Sequence, residues 1–151
     1  MKRRITGIVP TFNEERNIRD CLESLKWVDE LLIVDSFSTD GTLDIAREYT
    51  DRIIQRDYEY SASQKNWAIP QAEHEWILLL DSDERCTPEL QKEIEAILNA
   101  EEEPAHTAWW TYRRNHFLGK PIKYVFSNAM IIGMKISRCM PKFSPRRISA
   151  V

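Results

Sequence analysis

The sequence contains few of the residues on which several common kinds of binding site depend. It has 4 glycines and 3 cysteines among 151 residues. No Gly-x-Gly-x-x-Gly fingerprint and no P-loop occurs, which excludes the nucleotide sites built on glycine-rich loops. The cysteines, at positions 21, 86 and 139, are odd in number and lack the spacing of a metal site. We therefore expect free thiols in a reducing compartment.

Long apolar runs are also absent. No segment approaches the roughly 20 apolar residues that a membrane-spanning helix requires. The basic start at residues 1–4 is followed by only a few apolar residues before Pro10, too few for a signal peptide. These features predict a cytoplasmic protein, with peripheral contact at a membrane surface as a further expectation.

Acidic residues are missing from the last third of the chain. All 24 Asp and Glu residues lie at or before Glu103, together with 12 of the 21 Lys and Arg residues. The first part therefore carries a charge of −12 and the rest, with 9 Lys and Arg, +9, which gives the net −3. A basic end can face nucleotide phosphates, nucleic acid or an anionic membrane, or can be simply a solvated tail.

The residues that are present are typical of one globular α/β domain. An apolar fraction of 42% and a charged fraction of 30% are ordinary for a soluble protein with a core. Apolar periodicities predict alternating strands and helices, and hence a mainly parallel sheet with right-handed crossovers. The predicted strands cover residues 4–9, 31–34, 52–55, 76–80 and 105–117, and the predicted helices cover residues 14–27, 42–49, 61–72 and 88–100. We expect Pro70 to kink or end the third helix, and Thr87 to cap the fourth.

The most informative segment is the apolar run 76–80, which ends in Asp81-Ser82-Asp83. A short run of this kind reads as a strand buried on both faces, with the two carboxylates at its carboxyl end. Two close carboxylates repel each other unless a cation lies between them. Mg²⁺ or Mn²⁺ suits their oxygen atoms and usually also binds substrate phosphates. The segment therefore indicates an enzyme that handles a diphosphate.

Polar clusters follow two other predicted strands. One is Pro-Thr-Phe-Asn-Glu at residues 10–14, and the other is Asp-Ser-Phe-Ser-Thr-Asp-Gly-Thr at residues 35–42. Either cluster alone could be only a turn. Because the carboxyl ends of parallel strands share one edge, the three clusters are expected to form one ligand site.

These three motifs together resemble those of family 2 glycosyltransferases, inverting enzymes that have the GT-A fold and use nucleotide-diphosphate sugars. Ser-Ala-Ser-Gln-Lys-Asn-Trp-Ala at 61–68 and Arg-Arg-Asn-His-Phe-Leu-Gly-Lys at 113–120 resemble the lipopolysaccharide core β-glucosyltransferase branch. The resemblance implies an α/β, Rossmann-like GT-A domain at residues 1–124, followed by a divergent basic tail at 125–151. It implies transfer of a hexose from a UDP-sugar to a lipid-linked saccharide at the inner membrane surface, without a nucleic-acid partner.

The resemblance also assigns roles to individual residues. Asp35 would accept a hydrogen bond from uracil, and Lys65 would donate to a base carbonyl. Asp83 would bind Mg²⁺ or Mn²⁺ directly, and Asp81 would serve the ribose or the metal. The full set that it implies for the nucleotide is Thr11, Asn13, Glu14, Asp35, Lys65 and Asp81, and for the metal Asp81 and Asp83.

The catalytic base that an inverting transfer requires is not identified in this chain. The family places an acid well beyond the metal motif, and here no acid follows Glu103. His106 and His116 can titrate near neutrality, but neither is assigned as the base. The resemblance therefore leads us to expect a truncated or frameshifted product that retains the donor half, with a nucleotide-binding but inactive remnant as the alternative.

Other classes fit the motifs less well. A phosphatase with a nucleophilic Asp-x-Asp pair would carry it after the first strand, where this chain has no Asp. A nucleotidyltransferase would need a glycine-rich basic loop in place of the acidic Asn13-Glu14-Glu15. The alternating Trp109, Trp110 and Tyr112 could place one side of a strand in the core or form a platform for a sugar.

Overall fold

The computed structural model describes residues 3–102, 104, 108–112, 116–117, 120–121, 128–133 and 146–150. Within these ranges the strands are β1 (Ile5–Thr11), β2 (Glu30–Asp35), β3 (Ile53–Gln55), β4 (Trp76–Leu79), β5 (Ala108–Tyr112), β6 (His116–Phe117), β7 (Lys120–Pro121), β8 (Asn128–Gly133) and β9 (Arg146–Ala150). The helices are α1 (Ile18–Glu23), α2 (Thr42–Arg47), α3 (Ser61–Ala68) and α4 (Pro88–Asn99).

Seven of the strands form one sheet in the order β3-β2-β1-β4-β8-β5-β9, and β6 pairs with β7 in a separate ribbon. The strands β3, β2, β1 and β4 are parallel to one another. Strand β8 is antiparallel to both β4 and β5, and β9 is parallel to β5. The predicted α/β class with a mainly parallel sheet and flanking helices is therefore confirmed.

The carboxyl-terminal part of the sheet differs in detail from the sequence prediction. The single strand expected at 105–117 is two separate strands, β5 and β6. Strands β8 and β9 were not predicted, and β8 lies between β4 and β5. The division of the chain at residue 124 remains a prediction, although β8 and β9 both pair within the main sheet.

Strand β4 shows why the sheet is buried on both faces. All four of its residues, Trp-Ile-Leu-Leu, are buried, and successive side chains alternate between two apolar clusters. Trp76 and Leu78 join the cluster that includes α1 and α4, whereas Ile77 and Leu79 join the cluster beneath α3. Because side chains along a strand point to opposite faces, a continuous apolar run gives each face its own layer of core.

The helix ends follow local sequence signals. Helix α3 ends at Ala68 and is followed by a 3₁₀ turn, Ile69–Gln71, that contains Pro70, as predicted. Thr87 caps α4, and its Oγ1 accepts a hydrogen bond from the backbone N–H of Leu90 at 3.2 Å. The regular part of α1 is shorter than predicted. Among the residues described, no helix has the length and apolar character needed to cross a membrane.

A buried carboxylate, that of Glu30, joins the amino-terminal ends of the strands. It accepts hydrogen bonds from Thr6 Oγ1 at 2.6 Å, from the Glu73 N–H at 2.7 Å and from Arg52 Nε at 2.9 Å. Burial opposes ionisation of Glu30, but these hydrogen bonds and the guanidinium charge lower its pKa below the usual 4.5. This network stabilises the edge of the sheet opposite the candidate site.

Candidate active site at the carboxyl edge of the sheet

The carboxyl ends of β1 and β2 lie side by side. Thr11, at the end of β1, is the register partner of Asp35, at the end of β2. Thr11 is only 4% exposed, and its Oγ1 has no hydrogen-bond partner within the part of the chain that the structure describes. Because a buried hydroxyl without a partner is costly, this atom marks a position where a ligand could donate or accept a hydrogen bond.

The Asp35 carboxylate is fully buried and held in place from two sides. It accepts hydrogen bonds from the N–H and Oγ of Ser38 and from Gln55 Nε2 at 2.9 Å. A carboxylate offers about four lone-pair sites, so three protein donors leave room for one further donor. Gln55 lies at the end of β3, which brings a third strand end to the site.

The loops that follow β1 and β2 are tied together by hydrogen bonds. The Asn13 N–H donates to Ser38 Oγ at 2.9 Å, and the Thr39 N–H donates to Asn13 Oδ1 at 2.8 Å. In the described residues, Asn13 and Phe37 are the non-glycine residues with positive φ, at 52° and 60°. Both therefore occupy the left-handed region, which asparagine tolerates well, whereas an aromatic residue such as Phe37 adopts it only when its surroundings enforce it.

The next residues of these loops are also connected. The Glu14 N–H donates to Thr42 Oγ1 at 2.8 Å, and Glu14 Oε2 accepts from Asn17 Nδ2 at 2.8 Å. Asp40 accepts hydrogen bonds from the N–H groups of Thr42 and Glu15 and from the Thr42 hydroxyl. Burial opposes ionisation of Asp40, but these hydrogen bonds lower its pKa. These hydrogen bonds thus hold the acid-rich loop beside the strand ends.

A compact loop follows β4 and contains both predicted metal-binding acids. The Asp81 N–H donates to Glu84 Oε2 at 2.9 Å, and the Glu84 N–H donates to the Asp81 carbonyl, also at 2.9 Å. Cys21 Sγ lies beneath this loop, 3.6 Å from the same carbonyl, and burial raises the pKa of Cys21 to about 12. The loop is closed by Glu84, while the Asp83 side chain is exposed.

Lys65 contacts the same loop from α3. Its Nζ lies 2.9 Å from Asp81 Oδ1, with side-chain exposures of 26% and 37% respectively. Its neighbour Gln64 is buried and donates from Nε2 to Ser36 Oγ at 2.7 Å. Helix α3 thus connects the ends of β2 and β4, although the expected contact of Lys65 was with a nucleobase.

The donor set fits a hard divalent cation that is shared with a ligand. Asp81 and Asp83 supply carboxylate oxygens, the atoms that Mg²⁺ and Mn²⁺ prefer. Within the described ranges, no group of three or more His, Cys, Asp or Glu residues could hold a metal by itself. A cation at this loop would therefore take its remaining ligands from water or substrate phosphates, as Mg²⁺ commonly does.

Three residues of the site were not predicted from the sequence: Gln55, Gln64 and Glu84. Gln55 ends strand β3, so it could have been found by the same rule, that the carboxyl ends of parallel strands share one edge of the sheet. Gln64 and Glu84 lie within motifs named in the sequence analysis, but their hydrogen bonds depend on the tertiary fold.

The tryptophans could have been part of the core or a platform for a sugar. Trp109 is buried and packs on Trp76 with a ring-centroid distance of 5.5 Å. The structure does not describe residue 106 or the side chain of residue 116.

Comparison with known proteins adds a family. The model described as Glycosyl transferase family 2 matches residues 6–150. The lipopolysaccharide core biosynthesis glycosyltransferase LpsC of Rhizobium meliloti is 32% identical over 120 residues, which are 76% of this chain and 44% of LpsC. The chain thus spans less than half the length of this curated relative.

Solved structures show the same architecture. The crystal structure of TarS 1-349 from Staphylococcus aureus has a TM-score of 0.62 at 26% identity, over 86% of this chain and 47% of that one. TarS has also been solved with UDP-GlcNAc. The mannosyltransferase PcManGT of Pyrobaculum calidifontis, solved with GDP-Man and Mn²⁺, has a TM-score of 0.58 at 25% identity, over 74% of this chain and 35% of that one.

Proposed function

The chain belongs to glycosyltransferase family 2 and has the GT-A fold, and on this premise we propose that it is the donor-binding part of an inverting hexosyltransferase. Its donor is a UDP-hexose, and its product is a glycosylated lipopolysaccharide core or a related cell-envelope glycan. LpsC, which is named for lipopolysaccharide core biosynthesis, supports the class of acceptor. TarS, which has been solved with UDP-GlcNAc, supports the class of donor.

The observation that carries this proposal is the convergence of four strand ends on one edge. Thr11 and Asp35 are register partners, Gln55 bonds to Asp35, and Lys65 connects α3 to Asp81. Ligands of open α/β sheets bind in such a crevice. The edge combines a buried hydroxyl, a fixed carboxylate and an acidic loop, which together suit a nucleoside diphosphate with its cation.

Each side chain has a distinct role in the proposal. Asp35, oriented by Ser38 and Gln55, accepts the uracil N–H as a fourth hydrogen bond. Thr11 lines the nucleoside pocket, and Asn13 and Glu14 shape its wall through their hydrogen bonds to the neighbouring loop. Lys65, which contacts Asp81 in the structure, donates to a carbonyl of the base when the nucleotide is bound.

Asp81 and Asp83 would hold Mg²⁺ or Mn²⁺ against the diphosphate. Such a cation supplies electrostatic stabilisation of the charge that builds on the leaving diphosphate. Asp81 is placed for this by the hydrogen bonds that close its loop with Glu84. The acceptor is a lipid-linked saccharide, which the protein would meet at the cytoplasmic side of the inner membrane.

A second candidate function is nucleotide binding without transfer. The observation that favours it is the absence of Asp and Glu after Glu103 in these 151 residues. An inverting transfer needs a base to deprotonate the acceptor hydroxyl, and we assign none of the described residues to this role. The two candidates share the donor site and differ in turnover.

Calorimetric titration of UDP with and without Mn²⁺ tests the shared donor site. We expect Mn²⁺ to strengthen UDP binding, and Asp83→Asn to remove about tenfold or more of that gain because it removes a metal ligand. Asp51→Asn, an exposed acid just before β3 at the opposite edge, is the matched control and should keep the gain. Absence of UDP affinity in the wild-type chain would contradict both candidates.

Turnover separates the candidates. The 151-residue chain is incubated with UDP-glucose, Mn²⁺ and a lipopolysaccharide core oligosaccharide, and the product is analysed by NMR. A β-linked product supports the inverting transferase. Metal-dependent UDP binding without product supports the binding-only candidate for this chain.

A further inference from the structure

The contact between Lys65 and Asp81 raises a question about the order in which the site is filled. The Lys65 ammonium lies 2.9 Å from Asp81 Oδ1, one of the two carboxylates that the proposed function assigns to the cation. The pair joins α3 to the loop after β4, so it is a tertiary contact rather than a neighbouring pair on one helix. Both side chains are partly exposed. An exposed pair of this kind contributes little to stability, which points to a role other than holding the fold together.

The charges around the loop show what Lys65 neutralises. Asp81, Asp83 and Glu84 place three acids within four residues. The nearby Arg85 points elsewhere, with Nη1 3.0 Å from the Glu84 carbonyl and Nη2 3.2 Å from Asp20 Oδ2. Lys65 brings positive charge directly to Asp81, which lies among these close acids.

A divalent cation and the Lys65 ammonium compete for this position. Mg²⁺ lies about 2.1 Å from its carboxylate oxygens, so a cation on Asp81 would come close to an ammonium bound to the same oxygen. Two positive charges bound to one carboxylate oxygen repel each other strongly. A cation that takes Asp81 Oδ1 therefore displaces Lys65 from that oxygen, and a bound nucleotide offers the ammonium an alternative partner.

We propose that Lys65 is an internal counter-cation, defined as a side chain that occupies Asp81 until the nucleotide and its metal arrive together. The inference rests on the proposed function and adds an order to it. Metal alone binds weakly because it must displace Lys65 without compensation. Metal with nucleotide binds well because the diphosphate supplies ligands for the metal and the base offers a carbonyl oxygen to the displaced Lys65 ammonium. Lys65 is thus a positioning residue that makes metal binding depend on the nucleotide.

The test is a titration of Mn²⁺ alone, with free Mn²⁺ followed by electron paramagnetic resonance. We expect Lys65→Met to bind Mn²⁺ about fivefold more tightly than the wild type, the factor that corresponds to loss of a partly exposed ion pair of about 1 kcal/mol. Lys65→Arg keeps the positive charge and should stay close to the wild type. Lys92→Met, an exposed lysine on α4, is the matched control and should also be unchanged.

A double variant locates the effect. If the gain in Mn²⁺ affinity arises at the loop of residues 81–84, adding Asp83→Asn to Lys65→Met should abolish it. The complementary titration, of UDP in the presence of Mn²⁺, should show weaker coupling between nucleotide and metal in Lys65→Met than in the wild type. Thermal unfolding of each variant confirms that the protein is folded under the conditions of the titration.

The outcomes separate this inference from the proposed function. If the wild type binds UDP with Mn²⁺ while Lys65→Met binds Mn²⁺ alone no more tightly, the counter-cation role is wrong and the proposed function stands. A gain that persists in the double variant also overturns the role, because the metal would then bind elsewhere. If the wild type binds neither UDP nor Mn²⁺ under any condition, the proposed function fails, and the inference fails with it.

Discussion

Asp81 and Glu84 are joined by two hydrogen bonds, each 2.9 Å long, in which the N–H of each residue donates to an oxygen of the other. The arrangement closes a ring of four residues, 81–84, one residue after the end of β4. One of the two bonds uses the Glu84 side chain, which is buried. The orientation of the proposed metal ligands therefore depends on an acid that need not touch the metal.

The first prediction concerns this ring. Glu84→Ala should lower the Mn²⁺-dependent part of UDP affinity by about tenfold, because outer-shell partners of metal ligands typically have effects of this size. Glu84→Gln should retain most of the affinity, since an amide oxygen can still accept from the Asp81 N–H. Calorimetry with and without Mn²⁺ measures the difference. Equal losses in the two variants would indicate that the charge matters and the hydrogen bond does not.

The second prediction concerns Phe37, whose φ of 60° lies in the left-handed region. This conformation costs a residue with a Cβ atom about 1–2 kcal/mol, a cost that glycine avoids. Phe37→Gly should therefore be more stable than Phe37→Ala by about 1 kcal/mol, although alanine is favoured almost everywhere else. Urea denaturation of the two variants provides the measurement. A more stable alanine variant would contradict the strain.

The third prediction concerns acid sensitivity. Because hydrogen bonds lower the pKa of Glu30 below its usual 4.5, its contribution to folding is present above that value. The contribution is lost as the pH falls through the lowered pKa of the folded state. Glu30→Gln should cost roughly 1–3 kcal/mol near neutrality, and its free energy of unfolding should fall less steeply than that of the wild type below pH 4.5. Denaturant titrations from pH 7 to pH 3 measure both effects.

Glu23 is a suitable control for the acid experiment. It is an exposed acid whose pKa is also lowered, by Lys26 and Tyr49. Glu23→Gln should change the free energy of unfolding less than Glu30→Gln does at neutral pH, because exposed ion pairs contribute little. A larger effect at Glu23 would show that the buried network is not the main source of acid sensitivity.

The fourth prediction distinguishes a core tryptophan from a sugar platform. Trp109 is 5% exposed and packs against Trp76. Trp109→Ala should destabilise the fold by about 3–5 kcal/mol, whereas Trp109→Phe should cost less because it keeps an aromatic ring in the cavity. Thermal and urea unfolding measure this. A stable alanine variant with weakened sugar binding would favour the platform.

The sequence was sufficient for the part of the fold that is built from local signals. Apolar runs and their periodicity predicted β1 to β4 and their helices, and Pro70 and Thr87 marked helix ends as expected. The position of β8 could not be predicted in this way. It inserts between β5 and the much earlier strand β4, and pairing between strands so far apart in the sequence is decided by tertiary packing.

The same distinction applies to the site. The rule that parallel strands end at one edge brought Thr11, Asp35 and Asp81 into one region of the predicted fold. The partners of these residues were not predictable, because they depend on where a helix or loop comes to lie. Lys65 was expected to face a nucleobase, and in the structure its ammonium contacts Asp81. Its contact with the base remains a prediction for the nucleotide-bound protein.

The hydrogen bonds between Asn13 and the Ser38–Thr39 segment have a consequence for motion. Two loops linked in both directions cannot open independently, so they should protect their amide protons from exchange as one unit. A nucleotide that touches either loop would slow exchange in both. The two loops that form this wall would then gain protection together, even if only one of them contacts the ligand.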